Sequence, residues 1–167
     1  MESLPWLNAS FDAVTGFNSF PFAGNPVAAL AEARRVLVPG GKVGLVIFSP
    51  REENQQPKIM AAIAALAPPQ SPGGPNPFAL SAPGRPEAVV QAAGLHTLDR
   101  GEFPIVSVHP TAEAACRAFL AGGTGGRAVQ HSGQERVRQA IQEALEGFRV
   151  ETGVYRIEHR FWFLIAE

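Results

Sequence analysis

The spacing of hydrophobic positions along the chain changes several times, and each change predicts a new element. The short apolar stretch from Phe11 to Gly16 favours a strand, and the continuous apolar run from Val43 to Phe48 is typical of a strand buried on both faces. Between them, apolar residues recur at helical spacing after Asn25, a good N-cap, and Pro26, which suits the first helical position. Pro39-Gly40-Gly41 is expected to end this helix. The chain is therefore predicted to open with a strand, a helix and a strand.

The rest of the chain continues the alternation. The patterns predict helices over Lys58 to Ala67, Pro86 to Ala93, Thr111 to Leu120 and Gln134 to about Phe148, and extended segments over Leu95 to Val108 (interrupted at Gly101 and Pro104) and Tyr155 to Ile165. Ser132 and Glu135 have the spacing of a capping box for the last helix. Such alternation predicts an α/β fold whose final strand runs antiparallel to the others.

One segment interrupts the pattern. Residues 68–77 contain five prolines in ten positions and cannot form regular structure. We interpret this Pro/Gly-rich segment as an internal surface loop, so residues 1–167 are predicted to form a single domain.

Composition excludes several classes of function. With 46% hydrophobic and 17% charged residues, the chain is predicted to be a soluble globular domain. A net charge of −1 gives no basic face for nucleic acid or for an anionic membrane, so a small-molecule partner is expected. Cys116 is the only cysteine, and the sequence contains no signal segment or membrane-spanning run. These features predict a cytoplasmic location.

The sequence offers few candidates for a metal site, a phosphate-binding loop or a reactive cysteine. The histidines are far apart, with no cysteine or carboxylate at ligand spacing, so no metal site is predicted. The glycines from Gly122 to Gly126 follow a predicted helix and lack the Lys-Ser/Thr ending of a phosphate-binding loop, which favours a flexible connector. Cys116 is interpreted as a small buried residue.

Three blocks near the start resemble successive parts of the class I S-adenosylmethionine-dependent methyltransferases of type 11, the group that includes ubiquinone and menaquinone biosynthesis enzymes. The blocks are Leu4-Pro5-Trp6, Ser10-Phe11-Asp12-Ala13-Val14 and Glu32-Ala33-Arg34-Arg35-Val36-Leu37-Val38-Pro39-Gly40-Gly41. The resemblance implies a partial Rossmann-like sheet, with counterparts of the family's strands four to seven and inserted helices. The family's first three strands and glycine-rich cofactor turn have no counterpart, so the chain is expected to be the C-terminal portion of such a fold.

The resemblance also implies site residues. The loop after the first strand would place Phe17, Asn18 and Ser19 beside the methionine end of S-adenosylmethionine, with Phe20 and Phe22 as walls of a substrate pocket. Ordinary core packing is the alternative for the aromatic rings. For Asn18 the alternative is a turn residue that bonds its own backbone.

Histidines supply the candidate bases. His109 and His131 fall in segments expected near the substrate side, where either could deprotonate an acceptor hydroxyl. The alternative is that both are surface or loop residues. For His96 and His159, packing or solvent exposure is a sufficient explanation.

Two functions follow from these expectations. The first is S-adenosylmethionine-dependent methyl transfer to a small organic acceptor, with a missing or separate N-terminal half supplying the rest of the cofactor site. The alternative is a non-catalytic, truncated module for oligomerisation or partner binding. Without strands one to three, Phe11 to Gly16 would be an exposed sheet edge. We therefore expect a homo-oligomer, a complementing chain, or repacking by the inserted helices.

Overall fold

Four strands form one sheet in the spatial order β1-β2-β4-β3. They are β1 (Phe11–Phe17), β2 (Leu37–Phe48), β3 (Thr97–His109) and β4 (Tyr155–Ala166). β1 and β2 run parallel with Phe17 opposite Val46, and β4 is antiparallel to β2 with Trp162 opposite Ile47. The α/β class and the antiparallel final strand predicted from the sequence are confirmed.

The computed structural model describes residues 1–69, 73–74, 76–150 and 152–167. Its α-helices are α1 (Pro26–Val36), α2 (Gln56–Ala64), α3 (Arg85–Ala92), α4 (Ala112–Leu120), α5 (Gly123–Ser132) and α6 (Gln134–Leu145), and short 3₁₀ turns cover Phe20–Phe22, Arg51–Glu53 and Glu146–Phe148. Part of the predicted Pro/Gly-rich loop, at residues 70–72 and 75, lies outside the described residues.

The chain divides into two compact units. The first contains Met1–Glu53, Gly73–Pro104 and Arg160–Glu167, and the second contains Asn54–Pro72 and Ile105–His159. The prediction of a single domain over residues 1–167 stays a prediction.

The first unit buries one face of its sheet under α1 and α3. Alternate residues of β2 are buried there, and they share a core with residues of both helices and of β4: Leu30, Val43, Leu45, Ile47, Val90 and Leu164. The residues between them are only half-buried, so the run from Val43 to Phe48 is a strand, but the prediction that it is buried on both faces was wrong. Asn25 caps α1 as expected, with its Oδ1 accepting from Ala28 N–H at 3.1 Å.

The second unit is mainly helical. α2, α4 and α5 all pack against α6, and their shared core contains Ile59, Ile63, Cys116, Val137, Ile141, Leu145 and Ile157. Val137, Ile141 and Leu145, which recur at helical spacing, are therefore the core face of α6. Cys116 is fully buried, as interpreted, and burial raises the pKa of its thiol.

The end of α1 differs from the prediction. The helix ends at Val36, and Pro39-Gly40-Gly41 lies inside β2. Phe11 pairs with Leu37 whereas Ala13 pairs with Lys42, so an irregularity in β2 takes up the extra residues. Gly40 has φ +80° in this bulge, a conformation that favours glycine. β3 is likewise continuous through Gly101 and Pro104, because an edge strand tolerates proline.

The glycine-rich connector prediction was wrong. Gly123 begins α5, and Gly125 is buried in it. The capping box was also wrong, because Ser132 is the last residue of α5 and its hydroxyl donates to Leu66 O at 2.8 Å. Gly133 stands at the N-cap of α6 without a side-chain cap.

Candidate functional site

A tight corner follows β1 at its carboxyl end. Asn18 N–H donates to Val46 O at 2.8 Å, which continues the parallel ladder by one residue. Asn18 then adopts φ +47°, in the left-handed region that non-glycine residues seldom occupy. In open α/β sheets, ligands bind outside the carboxyl ends of the parallel strands. The corner therefore lies where this architecture places ligands.

The Asn18 side chain has an unusual environment. Its Oδ1 is buried and has no hydrogen-bond partner among the described residues. The great majority of buried polar atoms in proteins have a partner, since an unpaired acceptor costs free energy. The turn-forming alternative, in which the side chain bonds its own backbone, therefore has no support in these contacts.

The residues around Asn18 differ in exposure. Phe17 is 71% exposed and Phe22 is 49% exposed, whereas Phe20 is only 5% exposed and belongs to the first unit's core. Ser19 precedes the 3₁₀ turn, and its carbonyl accepts from Phe22 N–H at 3.0 Å. The first unit thus brings these predicted site residues together, with Phe20 contributing packing. Their roles toward a cofactor or substrate stay predictions.

The two candidate bases belong to the second unit. His109 is the last residue of β3, half-buried, with its ring centroid 6.5 Å from that of Phe119. His131 is exposed in the last turn of α5. Their role as bases stays a prediction.

A Ser–His pair in the second unit was missed by sequence reasoning. His159 is 8% exposed, and its Nε2 lies 3.1 Å from Ser107 Oγ. Burial lowers the pKa of His159, and the nearby His109 lowers it further. The alternation of β4 gave the only sequence signal, since it puts His159 on the same face as buried Ile157 and Phe161. An exposed position for His159 is ruled out.

An aromatic row near the carboxyl end of β2 was also missed. The Phe48 ring stacks on Phe161 at a centroid distance of 4.6 Å and contacts Phe78 at 5.1 Å. Phe103 continues the row beside Phe161 at 5.8 Å. Phe78 follows the Pro-rich segment, where no periodicity could identify it.

The described residues give little support for a metal site, a membrane-spanning helix or a phosphate-binding loop. Among the described residues, no group of three or more His, Cys, Asp or Glu side chains could hold a metal ion. Within the same ranges, every helix is too short or too polar to traverse a lipid bilayer. The glycines at 122–126 belong to the start of a helix that follows another helix, not a strand, unlike a phosphate-binding loop.

Comparison with known proteins gives a family match for the first 45 residues. Residues 1–45 match the type 11 family model, which is described as a methyltransferase domain. This segment is similar to the type 11 methyltransferases. The matched segment includes β1, the Asn18 corner, α1 and most of β2. No curated protein matches the sequence significantly.

Solved structures share the fold of this chain. A protein of Bacillus halodurans C-125, provisionally described as a methyltransferase, is similar over 99% of this chain and 73% of its own length, with a TM-score of 0.58 and 16% identity. The [4+2]-cyclase SpnF is similar over 99% of this chain and 53% of its own, with a TM-score of 0.50 and 18% identity. The chain thus spans about half to three quarters of these proteins, and at such identities the likeness concerns the fold alone.

Proposed function

We propose that the chain takes part in S-adenosylmethionine-dependent methyl transfer to a small organic acceptor. In this proposal, Phe17, Asn18 and Ser19 lie against the methionine end of the cofactor. The family match over residues 1–45 supports the reaction class and includes this corner. S-adenosylmethionine supplies the methyl group when it is bound.

The observation that carries the proposal is the state of Asn18. Asparagine adopts the left-handed conformation more readily than other non-glycine residues, so the main cost at this position is the buried, unpartnered Oδ1. An ammonium donor, such as the one at the methionine end of the cofactor, would satisfy this oxygen. Asn18 Oδ1 is therefore an atom at this corner whose chemistry fits the methionine end of the cofactor. Unsatisfied groups and backbone strain often occur together at functional sites.

Transfer of the methyl group to the acceptor needs few catalytic groups from the protein. Methyl transfer from a sulfonium is an in-line displacement, so positioning the acceptor accounts for most of the acceleration. The exposed rings of Phe17 and Phe22 next to the corner supply apolar surface for a small acceptor. His109 and His131 remain the proposed bases for an acceptor that must lose a proton.

Calorimetric titration of the whole chain with S-adenosylmethionine tests the proposal. Asn18→Gly keeps a backbone that suits φ +47° but removes the amide, so we expect it to weaken binding about tenfold or more. The matched control is Ala9→Gly, because Ala9 has φ +52° away from the corner and the same relief of strain should leave affinity unchanged. Absence of binding to the wild-type chain would refute a cofactor site in this chain alone.

A second role is favoured by the free edge of β1. Asn18 N–H points to β2. Successive residues of a strand direct their N–H and C=O groups to opposite sides, so those of Ala13, Thr15 and Phe17 point away from β2. Among the described residues, these groups make no hydrogen bond on that side. We propose that this edge accepts a strand from another chain, either a second copy or a complementing protein.

Light scattering coupled to size-exclusion chromatography tests strand addition. Thr15→Pro removes an outward N–H without touching the β1–β2 ladder, so it should convert an oligomer to a monomer. Thr15→Val keeps the N–H and should remain oligomeric. A wild-type chain that is monomeric alone would exclude self-assembly through this edge and leave the complementing protein as the occupant to be captured.

A further inference from the structure

A separate cleft lies in the first unit, between the start of α3 and the adjoining parts of β3 and β4. Its volume is about 310 Å³, which is within the range of small-molecule pockets. Trp162 and Leu164 provide an apolar wall, and both pack with the first unit's core. The cleft involves neither Asn18 nor its neighbours.

Glycine and proline shape this cleft. A Cβ on Gly101 would lie 2.6 Å from Phe163 Cε1, so the position has no room for a side chain. Gly84, at φ +76°, turns the chain into α3 at the other side of the cleft, next to Pro83. Backbone and aromatic rings therefore form part of the boundary of the cleft.

The charged groups of the cleft are carboxylates and one arginine. Glu87 Oε1 accepts from Arg100 Nη1 at 2.5 Å, whereas Glu87 Oε2 is buried and has no hydrogen-bond partner among the described residues. Glu102 is the second carboxylate of the lining, and Arg160 pairs with it at 3.3 Å. The Arg100 side chain is 70% exposed, so its hold on Glu87 is open to competition from a ligand. The lining residues alone carry a net charge of −1, and Arg160 beside Glu102 balances it.

We propose that this cleft binds a small organic amine, with the ammonium directed to Glu87 and the apolar body against Trp162 and Leu164. An ammonium can compete with the exposed Arg100 for the Glu87 carboxylate, and cations are attracted by the face of an indole ring. A carboxylic or phosphate ligand could pair with Arg100 but would also meet the two carboxylates of the lining. The inference does not depend on methyl transfer, since it uses no residue of the Asn18 corner.

Tryptophan fluorescence of the whole chain in a Trp6→Phe background reports on Trp162 alone. We expect phenethylamine to change this fluorescence and to bind about tenfold or more tightly than 2-phenylethanol, which has the same ring but no charge. Glu87→Gln should weaken amine binding by a similar factor and leave alcohol binding unchanged. Glu143→Gln, which alters an exposed carboxylate on α6, should change neither.

Three results would overturn the proposal. They are equal affinity for amine and alcohol, amine binding unaffected by Glu87→Gln, and no fluorescence change up to ~10 mM phenethylamine. The amine-to-alcohol comparison uses no substitution at Glu87, so it decides the question even if Glu87→Gln does not fold.

Discussion

The Phe20 ring occupies the space in which a side chain on Gly16 would lie. A Cβ built on Gly16 would be 2.5 Å from Phe20 Cδ2 and would overlap the ring further along its edge. Phe20 is held in the first unit's core and cannot retreat without opening it. This contact fixes the chain on both sides of Asn18.

Gly16→Ala should therefore destabilise the chain. Overpacking a core contact of this kind costs about 1–3 kcal/mol, measured as the free energy of unfolding in urea. The matched control is Gly44→Ala, because the Cβ of residue 44 in the neighbouring strand would lie 3.6 Å from Thr15 Cγ2, an ordinary contact. A variant at Gly16 that is as stable as the one at Gly44 would show that Phe20 does not restrain the corner.

Local sequence signals predicted the first unit well. Asn25 and Pro26 defined the start of α1, because capping depends on neighbouring residues. The apolar run in β2 defined a strand, but only one of its faces is fully buried. The corner after β1 was predicted from family resemblance, and its residues do lie together. The left-handed conformation of Asn18 was not predicted, although asparagine adopts it more readily than other non-glycine residues.

Distant contacts account for the failures. Ser132 has the sequence of a cap, but its hydroxyl bonds Leu66, a residue 66 positions away. Pro39-Gly40-Gly41 has the sequence of a helix stop, but pairing of Leu37 with Phe11 draws the segment into β2. The Ser107–His159 pair joins residues 52 positions apart. None of these contacts leaves a periodic pattern.

Two adjacent glycines in α5 should respond oppositely to alanine. A Cβ on Gly125 would lie 2.9 Å from Leu120 Cα and would collide with the Phe119 carbonyl, whereas a Cβ on Gly126 would have no atom within 4 Å. Gly125→Ala should cost about 1–3 kcal/mol of unfolding free energy through overpacking. Gly126→Ala should gain about 0.5–1 kcal/mol through helix propensity. Thermal unfolding of both variants checks the signs, and equal shifts would contradict the packing of Gly125 against α4.

Glu32 holds the N-terminal segment in a pH-dependent way. Its carboxylate bonds Arg35 Nε at 2.7 Å and accepts from Leu4 N–H at 2.9 Å. The Arg35 bond, followed by the Leu4 bond, lowers the pKa of Glu32 from 4.5 to about 2. Because the pKa is depressed in the folded state, this stabilisation is complete above pH 4.5 and is lost as the pH falls toward 2.

The Leu4 amide resonance in an NMR titration reports this bond. In the wild-type chain it should titrate with a midpoint near pH 2, and in Glu32→Gln it should already be displaced at neutral pH and be insensitive to acid. Glu143→Gln should behave as wild type. A midpoint near 4.5 would mean that Glu32 does not hold the segment.

His159 should make the chain less stable in mild acid. Burial lowers its pKa below the ordinary 6.5, so the unfolded chain takes up the proton first as the pH falls. Unfolding free energy should therefore decrease as the pH falls below the ordinary 6.5, and His159→Phe should remove that part of the slope. His109→Gln should reduce the slope, because removing a like charge raises the pKa of His159 toward its ordinary value. His131→Gln, at an exposed position of the same unit, should keep the wild-type slope. Urea unfolding at a series of pH values measures all four proteins, and a slope that survives His159→Phe would assign the titration to another group.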